Sequence, residues 1–246
     1  MRSDMPIGID RRLQLTWLES AANMVMAGTT NKEIAQTLHQ MLMDKLSSGE
    51  GGRGSLEKTV TNIMKIWVTT PMSLRPSRDE GLKMLQSSSP GGKLAVHWGM
   101  TIAVYPFWGV VADITGRLLR LQGSASMAQI LLRIKEQFGE RQTANRSAQR
   151  IVRSFVDWGV LLDMSDKGIY SMSPQADIND DKLAAWLIEA TLRSTGSKSA
   201  PLKSIINSPA IFPFKIKAFP VTMLNSARIE INRQGLDEDV VILKAV

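Results

Sequence analysis

Residues 141–161, RQTANRSAQRIVRSFVDWGVL, form two opposite faces when they are wound as an α-helix. At about 100° per residue, the polar face covers an arc of about 140°. The polar face consists of Asn145, Arg146, Gln149, Arg150 and Arg153. The apolar face consists of Ala144, Ala148, Ile151, Val152, Phe155 and Trp158. The pattern predicts an amphipathic helix, with Thr143 as its N-cap residue, that packs on neighbouring helices.

Two further helices are predicted before this amphipathic helix. Residues 127–138 have apolar side chains at helical spacing, with Ser124 or Ser126 as the N-cap and Gly139 at the end. An earlier helix begins near Pro106, because proline suits the first helical turn, and Gly123 closes it.

A β-hairpin is predicted after the amphipathic helix. Residues 160–164 and 169–172 have the composition of short strands, and the turn SDKG between them ends in glycine. The order helix, helix, short turn, helix and hairpin predicts a winged helix-turn-helix between residues 105 and 175.

Positive charge is concentrated in this part of the chain. The whole protein has a net charge of +7 and a pI of about 9.8, which favours polyanionic partners. Within residues 117–153, eight basic residues stand against two acidic ones, a net charge of +6. The basic residues are Arg117, Arg120, Arg133, Lys135, Arg141, Arg146, Arg150 and Arg153.

The side chains of the polar face suit the reading of double-stranded DNA. Arginine pairs bidentately with guanine, and asparagine or glutamine with adenine, in the major groove. The N-terminal half of a recognition helix normally contacts the bases. We therefore expect Asn145, Arg146, Gln149 and Arg150 to contact bases. The remaining predicted DNA contacts, chiefly to phosphates, are Arg117, Ser124, Ser126, Arg141, Thr143, Arg153 and the hairpin-tip residue Lys167.

Two alternatives remain open for the same helix. A basic amphipathic helix can simply be solvated, and winged helices also serve as protein-interaction modules. In the second case the Asn145–Arg153 face would bind an acidic or apolar surface of a partner protein or of a second copy of this chain.

The N-terminal region, residues 1–92, is predicted to be helical. Residues 11–27 form one helix, which Gly28 ends, and TNKE at 30–33 has the form of a capping box. "TTNKEIAQTL" also looks like the start of a helix-turn-helix, but a Gly-rich loop at 47–55 follows where a reading helix should stand. We therefore predict a structural helix there, and a third helix through Trp67.

The rest of the chain divides into connections, core and a mixed C-terminal region. Residues 70–92 are predicted to be a Pro/Ser/Gly-rich connection with Arg75, Arg78 and Lys83 exposed. Residues 94–114 are interrupted by polar residues and proline, so they are predicted as buried core and not as a membrane span. The C-terminal region is predicted to contain a helix at 180–195, one or two helical turns at LKSIINS, an extended segment at 210–220 and a strand pair broken at Gly235.

No catalytic or metal-binding pattern stands out. The chain has no cysteine, and His39 and His97 are isolated, so a zinc site is not expected. Asp177, Asp180 and Asp181 precede a helix, where acidic residues favour the helix dipole. We expect a non-enzymatic protein without a cofactor, and the lack of cysteine and of a signal-peptide pattern fits the cytoplasm.

Residues 105–175 resemble the winged-helix DNA-binding superfamily. The resemblance rests on SMAQILLRIKEQFG, ERQT, ANRSAQRIVRSFVDWGVL and DMSDKGIYSMSP, and it covers under a third of the chain. It implies that Asn145, Arg146, Gln149 and Arg150 enter the major groove and that Lys167 lies on the wing.

The layout of the chain is also similar to the A subunit family of BREX phage-defence systems. The similar segments are LESAANMVMAGTTNKEI, AVYPFWGVVADI, RSFVDWGVLL and FPFKI. This resemblance implies a DNA-associated component of bacterial antiviral defence.

Together these patterns predict a mainly α protein with small β-hairpins. The predicted regions are an N-terminal helical bundle at 1–92, a core helix with a winged helix-turn-helix at 93–175, and an α+β region at 176–246. The predicted partner is double-stranded DNA, in a regulatory or defence role.

Overall fold

The computed structural model describes residues 5–46, 52–217, 220–224, 226, 228–234 and 238–244. The helices are α1 Leu15–Met26, α2 Asn31–Leu46, α3 Gly52–Trp67, α4 Arg75–Ser87, α5 Pro90–Val104, α6 Pro106–Gln122, α7 Met127–Phe138, α8 Gln142–Asp157, α9 Asp181–Thr195 and α10 Leu202–Ile206. The strands are β1 Ser124–Ser126, β2 Leu161–Asp163, β3 Ile169–Met172, β4 Ala176–Ile178, β5 Ser199–Pro201, β6 Phe214–Ile216, β7 Ile229–Gln234 and β8 Glu238–Leu243. The protein is mainly α-helical with small β elements, as the sequence predicts.

Helices α5 and α6 lie at the centre of the core. Gly99 lets α5 approach α9 closely, because a Cβ at this position would lie 2.4 Å from a ring carbon of Trp186. Gly116 likewise lets α6 pack against the backbone of Pro209, because a Cβ on Gly116 would lie 2.2 Å from the carbonyl oxygen of Pro209. One cluster of buried side chains extends from Ile9 to Phe214, so residues of all three predicted regions share it.

Residues 94–114 are buried apart from half-buried Leu94, Pro106 and Asp113, which confirms the prediction of core. Within the described ranges, no single helix has the length and apolar character needed to cross a membrane. Helices α5 and α6 reach that length and composition only as a pair, and a bend of 118° separates them.

The predicted connection at 70–92 is wrong, because a short 3₁₀ turn, α4 and the start of α5 occupy it. Pro76 and Pro90 stand in the first turns of α4 and α5, where a helix needs no N–H from them. Arg75 and Lys83 are exposed as predicted, whereas Arg78 is half-buried and donates to the carbonyl oxygen of Val68 at 3.3 Å.

The end of α1 and the start of α2 confirm the predicted signals, but the helix predicted at 11–27 starts too early, because residues 11–14 are not helical and α1 begins at Leu15. Gly28 follows α1 with a φ of +76°. The backbone N–H of Glu33 donates to Thr30 Oγ1 at 3.3 Å, and the N–H of Thr30 donates to the Glu33 carboxylate at 3.1 Å. The predicted loop at 47–55 is too long, because α3 already begins at Gly52; residues 47–51 lie outside the described residues.

Elements α6 to β3 follow the predicted order of two helices, a short turn, a third helix and a hairpin, with the additional strand β1 between α6 and α7. Strand β3 pairs antiparallel with β1 and β2, which gives the sheet order β1-β3-β2. Of the two predicted caps of α7, Ser126 is the one used: its Oγ accepts from the N–H of Gln129 at 3.1 Å. The Gln129 side chain in turn accepts from the N–H of Ser126 at 3.1 Å.

The prediction of Thr143 as the N-cap of α8 is wrong. Arg141 is the N-cap residue, and its carbonyl oxygen accepts from the N–H groups of Ala144 and Asn145 at 3.0 and 3.3 Å. Gly139 leaves α7 with a φ of +72°, and the short turn returns the chain to a helical conformation at Gln142. Thr143 therefore lies exposed in the first turn of α8.

The C-terminal region contains α9, α10 and two small sheets, ordered β4-β6 and β5-β8-β7. Strands β7 and β8 confirm the predicted strand pair, while the break at Gly235 falls outside the described residues. The extended segment predicted at 210–220 is only partly right, because a 3₁₀ turn spans Pro209–Ile211 and only β6 is a strand. Residues 218–219 are not among those described.

Candidate nucleic-acid interface

The apolar face of α8 is held by an aromatic cluster around Trp98. The ring centroids of Phe155 and Trp158 lie 4.9 and 6.0 Å from that of Trp98. The other apolar residues predicted for this face, Ala144, Ala148, Ile151 and Val152, are fully buried. This packing fixes which side of α8 meets the solvent.

The exposed arc of α8 is narrower than the sequence predicts. Arg146 and Gln149 are exposed, whereas Asn145, Arg150 and Arg153 are half-buried. The Oδ1 atom of Asn145 is buried without a hydrogen-bond partner among the described residues. Because this oxygen faces the protein, Asn145 cannot pair bidentately with adenine in this rotamer.

The flank of α8 is covered by residues 9–14, which we call the N-terminal segment. The N–H of Leu13 donates to Ser154 Oγ at 2.8 Å, and Trp158 Nε1 donates to the carbonyl oxygen of Leu13 at 3.0 Å. Arg150 donates to the carbonyl oxygen of Asp10. These contacts cover part of the C-terminal half of α8 and leave its N-terminal half open.

The N-terminal segment and the burial beside it change the pKa of Arg150. Burial, and then the positive charge of Arg11, lowers the pKa of Arg150. Arginine nevertheless stays protonated at neutral pH. Arg150 is thus a cation shared between α8 and the N-terminal segment, and it is less free to contact a base than the sequence predicts.

Arg153 is held by the β2–β3 hairpin, residues 161–172, which we call the wing. Its guanidinium donates to the Asp163 carboxylate of β2 at 2.7 Å, and this hydrogen bond raises the pKa of Arg153. Asp163 itself is about half-exposed. The pair ties the C-terminal half of α8 to the hairpin and occupies one of the predicted DNA contacts.

Three of the predicted basic contacts remain unoccupied. Arg141, Arg146 and Lys167 are exposed, and their side chains form no hydrogen bond or ion pair with the described part of the chain. Lys167 stands in the wing turn before Gly168, whose φ is +80°. The turn between α7 and α8, the open face of α8 and the tip of the wing therefore each present one free cation.

Three other predicted contacts, Ser124, Ser126 and Arg117, are less available, whereas Thr143 is exposed. Ser126 uses its hydroxyl in the capping box, where it also donates to Gln129 Oε1 at 2.9 Å. Ser124 is half-buried in β1 opposite Ser171. Arg117 pairs with Asp113 at 2.8 Å.

Arg117 also lines a groove of about 840 Å³ between α6, α7 and residues 194–210. The lining of this groove includes no residue of α8 or of the wing. The structure therefore does not join Arg117 to the α8 face.

The two histidines do not form a metal site. Trp67 Nε1 donates to Nδ1 of buried His97 at 3.1 Å, and burial, followed by the charge of Lys93, lowers the pKa of His97 to about 3. His39 instead contacts Glu57 at 3.3 Å. Within the described ranges, no group of three or more His, Cys, Asp or Glu side chains could hold a metal ion.

The carboxylates before α9 have structural contacts. Asp180 Oδ1 caps the helix by accepting from the N–H of Leu183 at 2.8 Å, and Asp177 pairs with Lys217 at 3.3 Å.

The chain matches no family model, no curated protein and no solved structure.

Proposed function

We propose that the protein is a cytoplasmic, non-enzymatic protein that binds double-stranded DNA through α8 and the wing. The observation that carries this proposal is the open N-terminal half of α8. Arg146 and Gln149 are exposed there, and Arg146 has no partner among the described residues. An unpaired guanidinium on an exposed helix face is available to a base edge or a phosphate.

Each free cation has a role in this proposal. Arg146 pairs with guanine and Gln149 with adenine in the major groove. Arg141, in the turn before α8, and Lys167, on the wing, contact backbone phosphates on either side and set the register. The narrower exposed arc makes Asn145 and Arg150 weaker candidates for base contacts than Arg146 and Gln149.

The biological setting follows from the sequence resemblances alone. A DNA-associated component of a phage-defence or regulatory complex fits both the winged-helix resemblance and the BREX-like layout.

The proposal is tested by titrating a labelled duplex with the protein over a range of salt concentrations. We expect binding that weakens steeply between about 50 and 200 mM salt, because phosphate contacts release counterions. Arg146→Ala should lower the affinity by about 5- to 150-fold, which corresponds to about 1–3 kcal/mol. The thermal midpoint should not change, because Arg146 is exposed.

Lys83→Ala is the matched control, because Lys83 is an exposed cation on α4. It should bind duplex DNA like the unmodified protein. Absence of DNA binding at low salt would contradict the proposed function.

A protein-interaction function is the second candidate. It is favoured by Leu162 and Met164, two exposed apolar residues on the wing. Reversal of Arg146, Arg150 and Arg153 to glutamate separates the two candidates. Loss of a bound partner protein, with DNA binding never observed, favours the interaction module.

A further inference from the structure

We propose that Arg12 is a further, independent contact to the DNA backbone, presented by the N-terminal segment beside α8. This inference rests on the proposed function and extends its binding surface to a residue far from the winged helix in sequence.

The side chain of Arg12 lies beside the C-terminal end of α8, where it pairs with Asp157. The two residues are 145 positions apart in the sequence. Its Nε and Nη2 atoms donate to the two carboxylate oxygens of Asp157. The side chain of Arg12 is 48% exposed, whereas that of Asp157 is 15% exposed. The carboxylate is therefore covered while the guanidinium reaches the solvent.

The guanidinium can hold Asp157 and a phosphate at the same time. Arginine has five N–H donors in a planar fork, and the carboxylate pair occupies two of them. The donors on Nη1 and the second donor on Nη2 remain for another oxyanion. Phosphate suits such a fork, because arginine binds it bidentately.

The surroundings of Arg12 leave a surplus of positive charge. Arg153 and Asp163 lie close enough to Arg12 to interact with it electrostatically. Arg11 and Arg146 interact with Arg150 in the same way. The cluster comprises Arg11, Arg12, Arg146, Arg150, Arg153, Asp10, Asp157 and Asp163. Five arginines thus face three aspartates, so a polyanion is attracted along the whole of α8.

The backbone that carries Arg12 is already ordered. Ile9 and Leu13 are fully buried on either side of it, and both backbone polar groups of Leu13 are hydrogen-bonded, one to Ser154 of α8 and one to Trp158 directly after it. A contact from such a backbone avoids the cost of ordering a loop when the ligand binds. Since most protein–DNA hydrogen bonds go to phosphate and sugar, a backbone contact is the expected role.

The alternative role of Arg12 is to neutralise Asp157 and nothing more. The two roles differ in a mutant cycle of the unmodified protein, Arg12→Gln, Asp157→Asn and the double variant. Each protein is titrated with the same labelled duplex at several salt concentrations. Arg75→Gln, an exposed arginine on α4, is the matched control.

We expect Arg12→Gln to weaken binding to duplex DNA several-fold, both in the unmodified protein and in the Asp157→Asn variant. The slope of log K against log salt should become shallower by about 0.9, the contribution of one phosphate contact. Arg12→Lys retains the charge and should keep most of the slope, which guards against an effect of misfolding. Arg75→Gln should leave the affinity and the slope unchanged.

The proposal is overturned if Arg12→Gln has no effect once Asp157 is replaced, because Arg12 then only neutralises that carboxylate. An unchanged affinity and slope in the single Arg12→Gln variant overturns it as well. If the unmodified protein does not bind the duplex, the proposed function itself fails, a result distinct from both.

Discussion

Two clusters of arginines differ sharply in what surrounds them. The cluster beside α8 lies at the surface and has fewer carboxylates than guanidinium groups. The second cluster lies between α4, α9 and the start of β7. There Glu189 accepts from Arg193 Nε at 2.8 Å, from Arg228 Nε at 2.9 Å and from Ser77 Oγ at 2.8 Å, and Arg228 also contacts Glu80.

The difference shows how burial decides the use of a charge. Burial disfavours the charged form of Arg228, but the charge of Glu189 and the hydrogen bonds to Glu80 and Glu189 outweigh it and raise the pKa of Arg228. A buried charge is tolerated only when it is paired in this way. The buried cluster is therefore committed to joining helices to the C-terminal sheet, and only the surface cluster has cations to spare for a ligand.

The largest expected effect comes from breaking the buried cluster. Glu189→Gln removes the negative charge between two largely buried guanidinium groups and should lower the free energy of unfolding by about 3–5 kcal/mol. Chemical denaturation measures the change. Glu80→Gln is the matched control, because Glu80 is 39% exposed and contacts one arginine. Its replacement should therefore lower the free energy of unfolding clearly less than Glu189→Gln does. Equal losses would show that burial does not distinguish the two carboxylates.

A second test of the buried region uses pH. The pKa of His97 is about 3 in the folded protein and about 6.5 in an unfolded chain. Above pH 6.5 the ring is neutral in both states, and its contribution to stability is fully present. Between about pH 6.5 and 3 only the unfolded state takes up the proton, so stability falls by up to about 1.4 kcal/mol per pH unit.

His97→Gln should therefore flatten the dependence of unfolding free energy on pH below 6.5. Denaturant titrations of both proteins at several pH values measure this. Parallel curves for the two proteins would show that His97 does not titrate differently on unfolding.

The smallest expected effect belongs to the surface cluster. Asp163→Asn releases Arg153 beside α8 and should raise the affinity for duplex DNA by about 2- to 5-fold, the range of an exposed ion pair. Asp113→Asn releases Arg117 in the groove away from α8 and should leave the affinity unchanged. An equal rise in both variants would show that general charge, and not position beside α8, controls binding.

The parts of the fold that could be predicted from the sequence have local signals. The amphipathic pattern identified α8, the TNKE capping box identified the start of α2, and Gly123 and Gly139 identified the ends of α6 and α7. The same reasoning located Arg146 and Lys167, since an exposed polar face and a hairpin tip are readable from spacing alone.

Other features could not be predicted, because their cause is contact between distant parts of the chain. Helix α4 was missed since its buried face is Ser77, Gly81, Leu82 and Leu85, where small residues fit against a neighbouring helix without appearing apolar. The N-terminal segment gave no sign that it would pack on α8. Its paired arginines, Arg11 and Arg12, indicate only a basic surface, and nothing local connects them to Asp157.

The aromatic cluster around Trp98 has a consequence for engineering. The indole of Trp98 contacts Phe155 of α8, Trp158 directly after α8, and also Phe212 in the C-terminal region. A fragment limited to residues 105–175 would lose Trp98 and Phe212, together with Leu13, which bonds to α8. Residues 105–175 are therefore not an independent module, and grafting them onto another scaffold would also require residues from the N-terminal and C-terminal parts of the chain.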